Sequence, residues 1–225
     1  SAPPYRLGPE IEERPVITLP YDVLAAAAAG FGHNFLAIDR DGPARRIPPF
    51  VRKGTRFMPS FGMAAALVAG GYRAEDVALE GRAIRIRDRH VPLVREQVTD
   101  AVDPSKGHGQ QTMLINYRAP PQSRGVRSYP IYEVRHLLLS EGQLRDGEQP
   151  AVNPDVFKDK VVFVGLTASG LLDMFQTPFG RGVMPGIQLH ASVADSMLSN
   201  LFLAPAPGWS AILATFGGAL FTGLM

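Results

Sequence analysis

The sequence predicts an α/β fold: a mixed, mainly parallel sheet flanked by helices, with two hairpins, ending in the start of a transmembrane helix. Three observations predict it. Apolar runs of strand length alternate along the chain with helical patterns. One run, Val161 to Val164, is apolar on both faces and stops at Gly165, as a buried strand of a parallel sheet does. The last stretch, Trp209 to Met225, reads WSAILATFGGALFTGLM and carries no charge.

Residues 1–15 are proline-rich and polar, an irregular lead-in. Thr18 to Ala29 reads as a short helix, with Thr18 as cap, Pro20 and Asp22 in the first turn, and an alanine run closed by Gly30. Phe35 to Ile38 is a strand, Asp39-Arg40-Asp41-Gly42 a turn, and Ala44 to Phe50 the returning strand. Pro48 and Pro49 make its end an edge or an exit. Pro59 to Ala69 is a compact apolar helix stopped by Gly70-Gly71. Ala83 to Arg87 alternates isoleucine with arginine, and Val91 to Val94 pairs back on it after a turn at Asp88-Arg89. A polar loop over 99–110 precedes a strand from Met113 to Tyr117. Another loop leads to a helix from Pro130 to Ser140, ending at Gly142. After the strand at Val161, Pro185-Gly186 launches a helix whose apolar stripe is Ile187, His190, Ala194, Met197 and Leu201.

The chain has 225 residues, enough for one large or two small domains. At 45% hydrophobic and 20% charged residues it is globular, not disordered. The net charge is +2, and its arginines are scattered without interleaved aromatics, so nucleic acid is set aside as a partner. There is no cysteine, which excludes disulfides and thiolate metal sites. Trp209 to Met225 is shorter than the ~20 apolar residues of a span. With an interfacial tryptophan and small residues suited to packing in lipid, residues 208–225 read as the start of a truncated transmembrane helix. A buried core helix is the competing reading. Residues 1–207 then form the domain outside it.

Several patterns imitate catalytic motifs. Gly165-Leu166-Thr167-Ala168-Ser169-Gly170 has P-loop glycine spacing, but Leu171-Leu172 stands where lysine and a hydroxyl are required. It reads as a strand-to-loop turn. Asp39 to Gly42 resembles the start of a calcium loop, but Phe50 occupies the twelfth position, where a bidentate glutamate is needed. A hairpin turn, its carboxylates paired with Arg45 and Arg46, fits better. Ser169, Asp173 and His190 are the residue types of a hydrolase triad, without a nucleophile elbow around the serine. Asp173, His190 and Asp195 do not form a metal set, because Asp195 points away on the helix. The favoured reading has His190 donating a ring N–H to Asp173 or to a loop carbonyl, tying loop to helix. Thr177-Pro178 fixes the loop's direction. Ser169, Asp173, Thr177 and His190 are therefore candidate ligand-binding or structural residues, with no catalytic residue, metal or cofactor assigned.

The run FKDKVVFVG, then L-x-D with TPF, then MPGIQLHA and MLSNLFL, resembles the CHASE type 2 family of extracellular sensory domains. Earlier segments are similar too: Gly32, Asn34 and Phe35 leading into Ala37 to Gly42, Arg45 to Pro48, Ile115 to Arg118, and Tyr129 with the helix after it. The resemblance spans most of residues 20 to 205. It implies the input domain of a bacterial receptor in the cell membrane, lying on the periplasmic or extracellular side. Family members typically follow one membrane helix and precede several more. The cytoplasmic output in that family is a class III adenylate or guanylate cyclase, a histidine kinase, a serine/threonine kinase or a diguanylate cyclase. The cyclase, and hence cAMP synthesis, leads. Expected partners are an unknown small-molecule or protein ligand bound near Ser169 to Thr177, the membrane through the C-terminal helix, and a second copy in a homodimer. The reading of another class is a soluble hydrolase or nucleotide-binding enzyme whose last helix packs internally.

Overall fold

The structure, a computed structural model, describes residues 5–98, 108–120, 129–166, 173–180 and 182–223. The N-terminal lead-in is irregular but not peripheral. Arg6 and Glu13 bridge Ala78 and Arg52, and Ile11 between them is buried in the core. The first helix, α1 (Asp22–Ala27), is shorter than predicted. Tyr21, not Thr18, stands at its N-terminal boundary, and none of its residues is buried.

The strands are short and pair antiparallel. β1 (Arg46–Ile47) is followed by β2 (Phe50–Lys53) and β3 (Arg56–Pro59), a hairpin. After α2 (Phe61–Ala69) come β4 (Val77–Glu80), β5 (Ala83–Ile86) and β6 (Arg89–Pro92), an antiparallel meander. β7 (Val94–Val98) pairs with β8 (His108–Leu114), and β8 pairs with β1 on its other side. α3 (Val134–Arg145) runs straight through Gly142 and ends at Asp146. β9 (Met174–Gln176) and β10 (Val183–Pro185) form the last small sheet. α4 (Gly186–Ser199) and α5 (Gly208–Gly223) complete the described chain.

The expected mainly parallel sheet is not found. Among the described residues, parallel pairing is limited to the isolated bridges Arg6–Ala78, Glu13–Arg52 and His33–Ser60. For the consecutive strands the physical reason is the length of the connections. Two residues separate β2 from β3, β4 from β5, and β5 from β6. Gly54, Gly81 and Arg87 supply the positive φ those turns need. Such links permit only hairpins, since a parallel crossover needs a dozen residues or more. The turn over Asp39 to Gly42 forms as predicted, closed by Gly42 N–H to Asp39 C=O at 2.9 Å. Its flanks give only one antiparallel bridge, Ala37–Arg46, and residues 35–38 are not a strand.

The central buried strand is a second correction. Residues 161–166 are not part of a sheet, and Val162 and Val164 are 53% and 78% exposed. Asp159, at φ +56, turns the chain just before this segment. Gly165 then lies against the Ile187 side chain at the start of α4. The segment therefore follows a helix, and only Phe163 turns inward, packing edge-on to Phe61 with ring centroids 5.6 Å apart.

One core unites these pieces. Phe50, Ile84, Ile86, Val91 and Met113 from the strands meet Met63 and Leu67 of α2 and Leu189, Val193 and Met197 of α4. On the predicted stripe of α4, His190, Ala194 and Met197 are buried, while Leu201 lies past the helix end and is half-exposed. Asn200 ends α4 in the left-handed region, with φ 55 and ψ 37. Asn favours this conformation because its short polar side chain can hydrogen-bond to the local backbone, which the alanine methyl cannot do. Asn200→Ala is expected to lower stability by about 1 kcal/mol, and Asn200→Gly to leave it nearly unchanged, in urea unfolding.

α5 is apolar and exposed along its length, with Trp209, Ile212, Phe216 and Leu220 all more than half exposed. It does not pack into the core, against the internal-helix alternative. No helix among the described residues is long and apolar enough to cross a membrane.

Candidate functional site

The candidate site is a cavity of about 230 Å³ where the first turns of α2 and α4 converge. Its lining is Asn34, Leu36, Phe61, Gly165, Asp173, Gly186, Ile187 and His190. A neighbouring apolar groove of about 310 Å³ shares Phe61 and runs between Gly30, Val68 and Val161.

Local sequence explains the convergence. Ser60 holds the N-cap position of α2, but its side chain caps nothing. The orphan donors of the first turn go elsewhere. Phe61 N–H donates to the His33 carbonyl at 2.8 Å. Gly62 N–H donates to Nδ1 of His190 at 3.4 Å, across the interface from α4. Accepting at Nδ1 places the proton of the neutral ring on Nε2. Glycine at 62 is what allows the approach: a Cβ there would overlap the His190 carbonyl oxygen and lie 2.9 Å from Val193 Cβ.

His190 is 4% exposed, and burial pushes its pKa down to about 4, a hydrogen bond with the Asn34 backbone offsetting part of the shift. His33 is its neighbour. Both His33 ring nitrogens are shielded from solvent, and its pKa is pushed down to about 3, first by burial and then by the charges of His190 and Arg14. Both rings are thus neutral near pH 7. Behind them lies a second polar group: Glu12, 7% exposed, accepts from Gln110 Nε2 at 2.6 Å and pairs with Arg14 at 2.7 Å. Arg14 in turn sits over the Phe35 ring at 3.5 Å.

Asp173 lies at the other lip of the cavity, just before β9. Its carbonyl accepts from Gly186 N–H at 3.0 Å, and its carboxylate faces the Gly186 Cα. A carboxylate beside the N-terminus of a 14-residue helix is favourably placed against the helix dipole.

The sequence-predicted residues separate as follows. Asp173 and His190 line the same cavity. Ser169 lies outside the described residues, as does the end of the P-loop-like stretch from Thr167. Thr177 is buried but is not part of the lining. It follows Gln176, whose carbonyl accepts from Ala44 N–H at 2.9 Å, and precedes Phe179, edge-on to Tyr117. Of the two acceptors expected for the His190 ring N–H, it is a loop backbone group, that of Asn34, and not Asp173, while Nδ1 accepts from Gly62 of α2. Asp195 points elsewhere, pairing with Arg118. Asp39 and Asp41 are held by Arg45 and Arg46 at 2.7 to 2.9 Å, a hairpin turn locked by ion pairs. Among the described residues no cluster of three or more His, Asp or Glu could hold a metal ion.

Sequence reasoning missed His33, Gly62 and Glu12. None belongs to a spaced motif, and only the fold brings them to His190 or Gln110. The Thr177 hydroxyl is buried without a hydrogen-bond partner among the described residues. Thr177→Val is therefore expected to be neutral or to stabilise by about 1 kcal/mol in thermal unfolding. A loss of stability would show that the hydroxyl is satisfied.

Chemically, the lining offers a carboxylate acceptor, a carboxamide, one aromatic wall and a neutral imidazole already bonded to protein. That set suits binding and packing. Comparison with curated proteins found no match, and comparison with solved structures found none. The CHASE2 domain model matches residues 5–225. The chain belongs to the CHASE2 domain family, a family of sensory domains.

Proposed function

We propose that this chain is the extracytoplasmic signal-sensing domain of a bacterial transmembrane receptor. The observation that carries the reading is the family match over residues 5–225. CHASE2 domains are typically the extracellular sensory domains of membrane receptors. The cavity between α2 and α4 is the favoured place for a small ligand, with Asp173 and Asn34 as its polar groups. The exposed apolar side chains of α5 support a membrane contact for that helix, and those of 161–166 support assembly as a homodimer. Ligand binding would favour one arrangement of the helices that follow, by its differential affinity for the two.

The output assigned to the receptor is a class III adenylate or guanylate cyclase. The test is cyclic nucleotide in cells lacking their own cyclases and carrying the full-length protein. Accumulation of cAMP or cGMP above the empty-vector control supports this output. Its absence, with the protein present in the membrane, removes the cyclase and leaves a histidine or serine/threonine kinase. The domain reading itself falls if the chain is not exported.

A further inference from the structure

The contact between His190 and Gly62 is a helix cap supplied by a titratable ring. Gly62 is the second residue of α2, and its N–H has the His190 imidazole as acceptor. Phe61, before it, is bonded to the His33 carbonyl, so two histidine residues close this helix end. The caps differ in kind. A backbone carbonyl accepts at any pH, whereas Nδ1 accepts only while it carries no proton.

We infer that His190 is an acid-releasable latch between α2 and α4: protonation of its Nδ1 uncaps α2 and parts the two helices. Once Nδ1 carries a proton, two donors face each other across the contact. A positive charge also arrives at the positive end of the α2 dipole, where cations are disfavoured. The ring cannot step aside within the native packing. The α4 backbone already fills the space beside Gly62, and Phe61 meets the ring edge-on at 5.7 Å.

The charged surroundings make the latch responsive. His33 faces His190 from the segment before α2, and Arg14 stands behind His33, paired with Glu12. Each positive charge there opposes the His190 cation. Asp173, across the cavity, favours it. α2 carries no titratable side chain, and the other one on α4, Asp195, is engaged by Arg118. Burial then holds the ring neutral until the medium is distinctly acid. α4 leads through residues 201–207 to α5, so parting α4 from α2 frees the element next to the terminal apolar helix. This inference rests on the contact between the two helices and on the burial of the ring within it, and a failure of the sensory reading leaves it untouched.

The experiment is an NMR titration of the 225-residue chain from pH 7 to pH 3.5. It follows the His190 ring, the Gly62 amide and the Ile84 amide in the core meander. The expected result is that the Gly62 amide moves in step with the His190 ring while Ile84 keeps its native resonance. In His190→Asn, whose side-chain oxygen can accept from Gly62 without titrating, the step at Gly62 should vanish. In His33→Asn it should persist. The latch is overturned if His190 titrates with no change at Gly62. It is equally overturned if Gly62 and Ile84 are lost together, because release is then global unfolding.

Discussion

Gly62→Ala is expected to destabilise the domain by about 3 kcal/mol. The reason is backbone against backbone. The new Cβ would meet the His190 carbonyl and the Val193 Cβ on α4, neither of which is the end of a flexible side chain. Relief requires the two helices to move apart. That opens the packing of Met63 and Leu67 against Leu189, Val193 and Met197. It also lengthens the Gly62–His190 hydrogen bond, already 3.4 Å. Alanine's better helix propensity returns less than about 1 kcal/mol at an interior position. Urea unfolding should show a lower midpoint with an unchanged slope. A midpoint within experimental error of the parent would mean that α2 and α4 do not touch at this residue.

The second large effect is loss of stability on mild acidification. His33 and His190 have folded pKa values near 3 and 4, against an ordinary value of 6.5. Between the folded and unfolded values the unfolded chain binds more protons. Stability therefore rises with pH across that window. It is fully present above about pH 6.5 and drains as the pH falls toward 4. Each ring contributes on the order of 3 kcal/mol at the acid end. The pair repel when both are charged, so the two contributions are not independent. Carboxylates come later: Asp41, held low mainly by Arg45, and Asp76, held low mainly by the Arg73 backbone, lose their share only below the ordinary carboxylate range. Unfolding free energy measured from pH 7 to 4 should fall steadily in the wild type. The double variant His33→Gln, His190→Asn should flatten that slope. A flat wild-type profile over the same range would contradict the burial of both rings.

What the sequence made legible was local. The helix launched at Pro185-Gly186 follows from a spacing of three and four in its apolar residues, and it appears with His190, Ala194 and Met197 of that stripe buried. The hairpin after Ala83 follows from isoleucine–arginine alternation, but its turn is Arg87-Asp88 rather than Asp88-Arg89, and the returning strand is Arg89–Pro92 rather than Val91 to Val94. The Asp39 turn forms with the ion pairs expected of Arg45 and Arg46. Long-range pairing leaves a weaker trace in a sequence. Val161 to Val164 has the composition of a buried strand, but composition does not say whether a partner strand stands beside it. Here α2 stands beside Val161 and Phe163, and α4 beside Gly165. Gly142 looks like a helix stop, yet the tolerance of α3 for one interior glycine carries the helix on to Arg145. At the site, His190 was visible as a polar residue on an apolar stripe. Its true partner was not, because Gly62 lies 128 residues away and carries no side chain to mark it.

A receptor's sensor is expected to lie outside the cytoplasm. The chain contains no cysteine, so one added thiol is an unambiguous reporter. Glu148 is exposed just past α3 and suits it. Full-length protein carrying Glu148→Cys, free of other reactive thiols, should react with a membrane-impermeant maleimide in intact cells with the outer envelope permeabilised. Labelling before lysis, at the level seen after it, is the predicted result. Labelling only after the inner membrane is broken would place the domain in the cytoplasm and contradict the account.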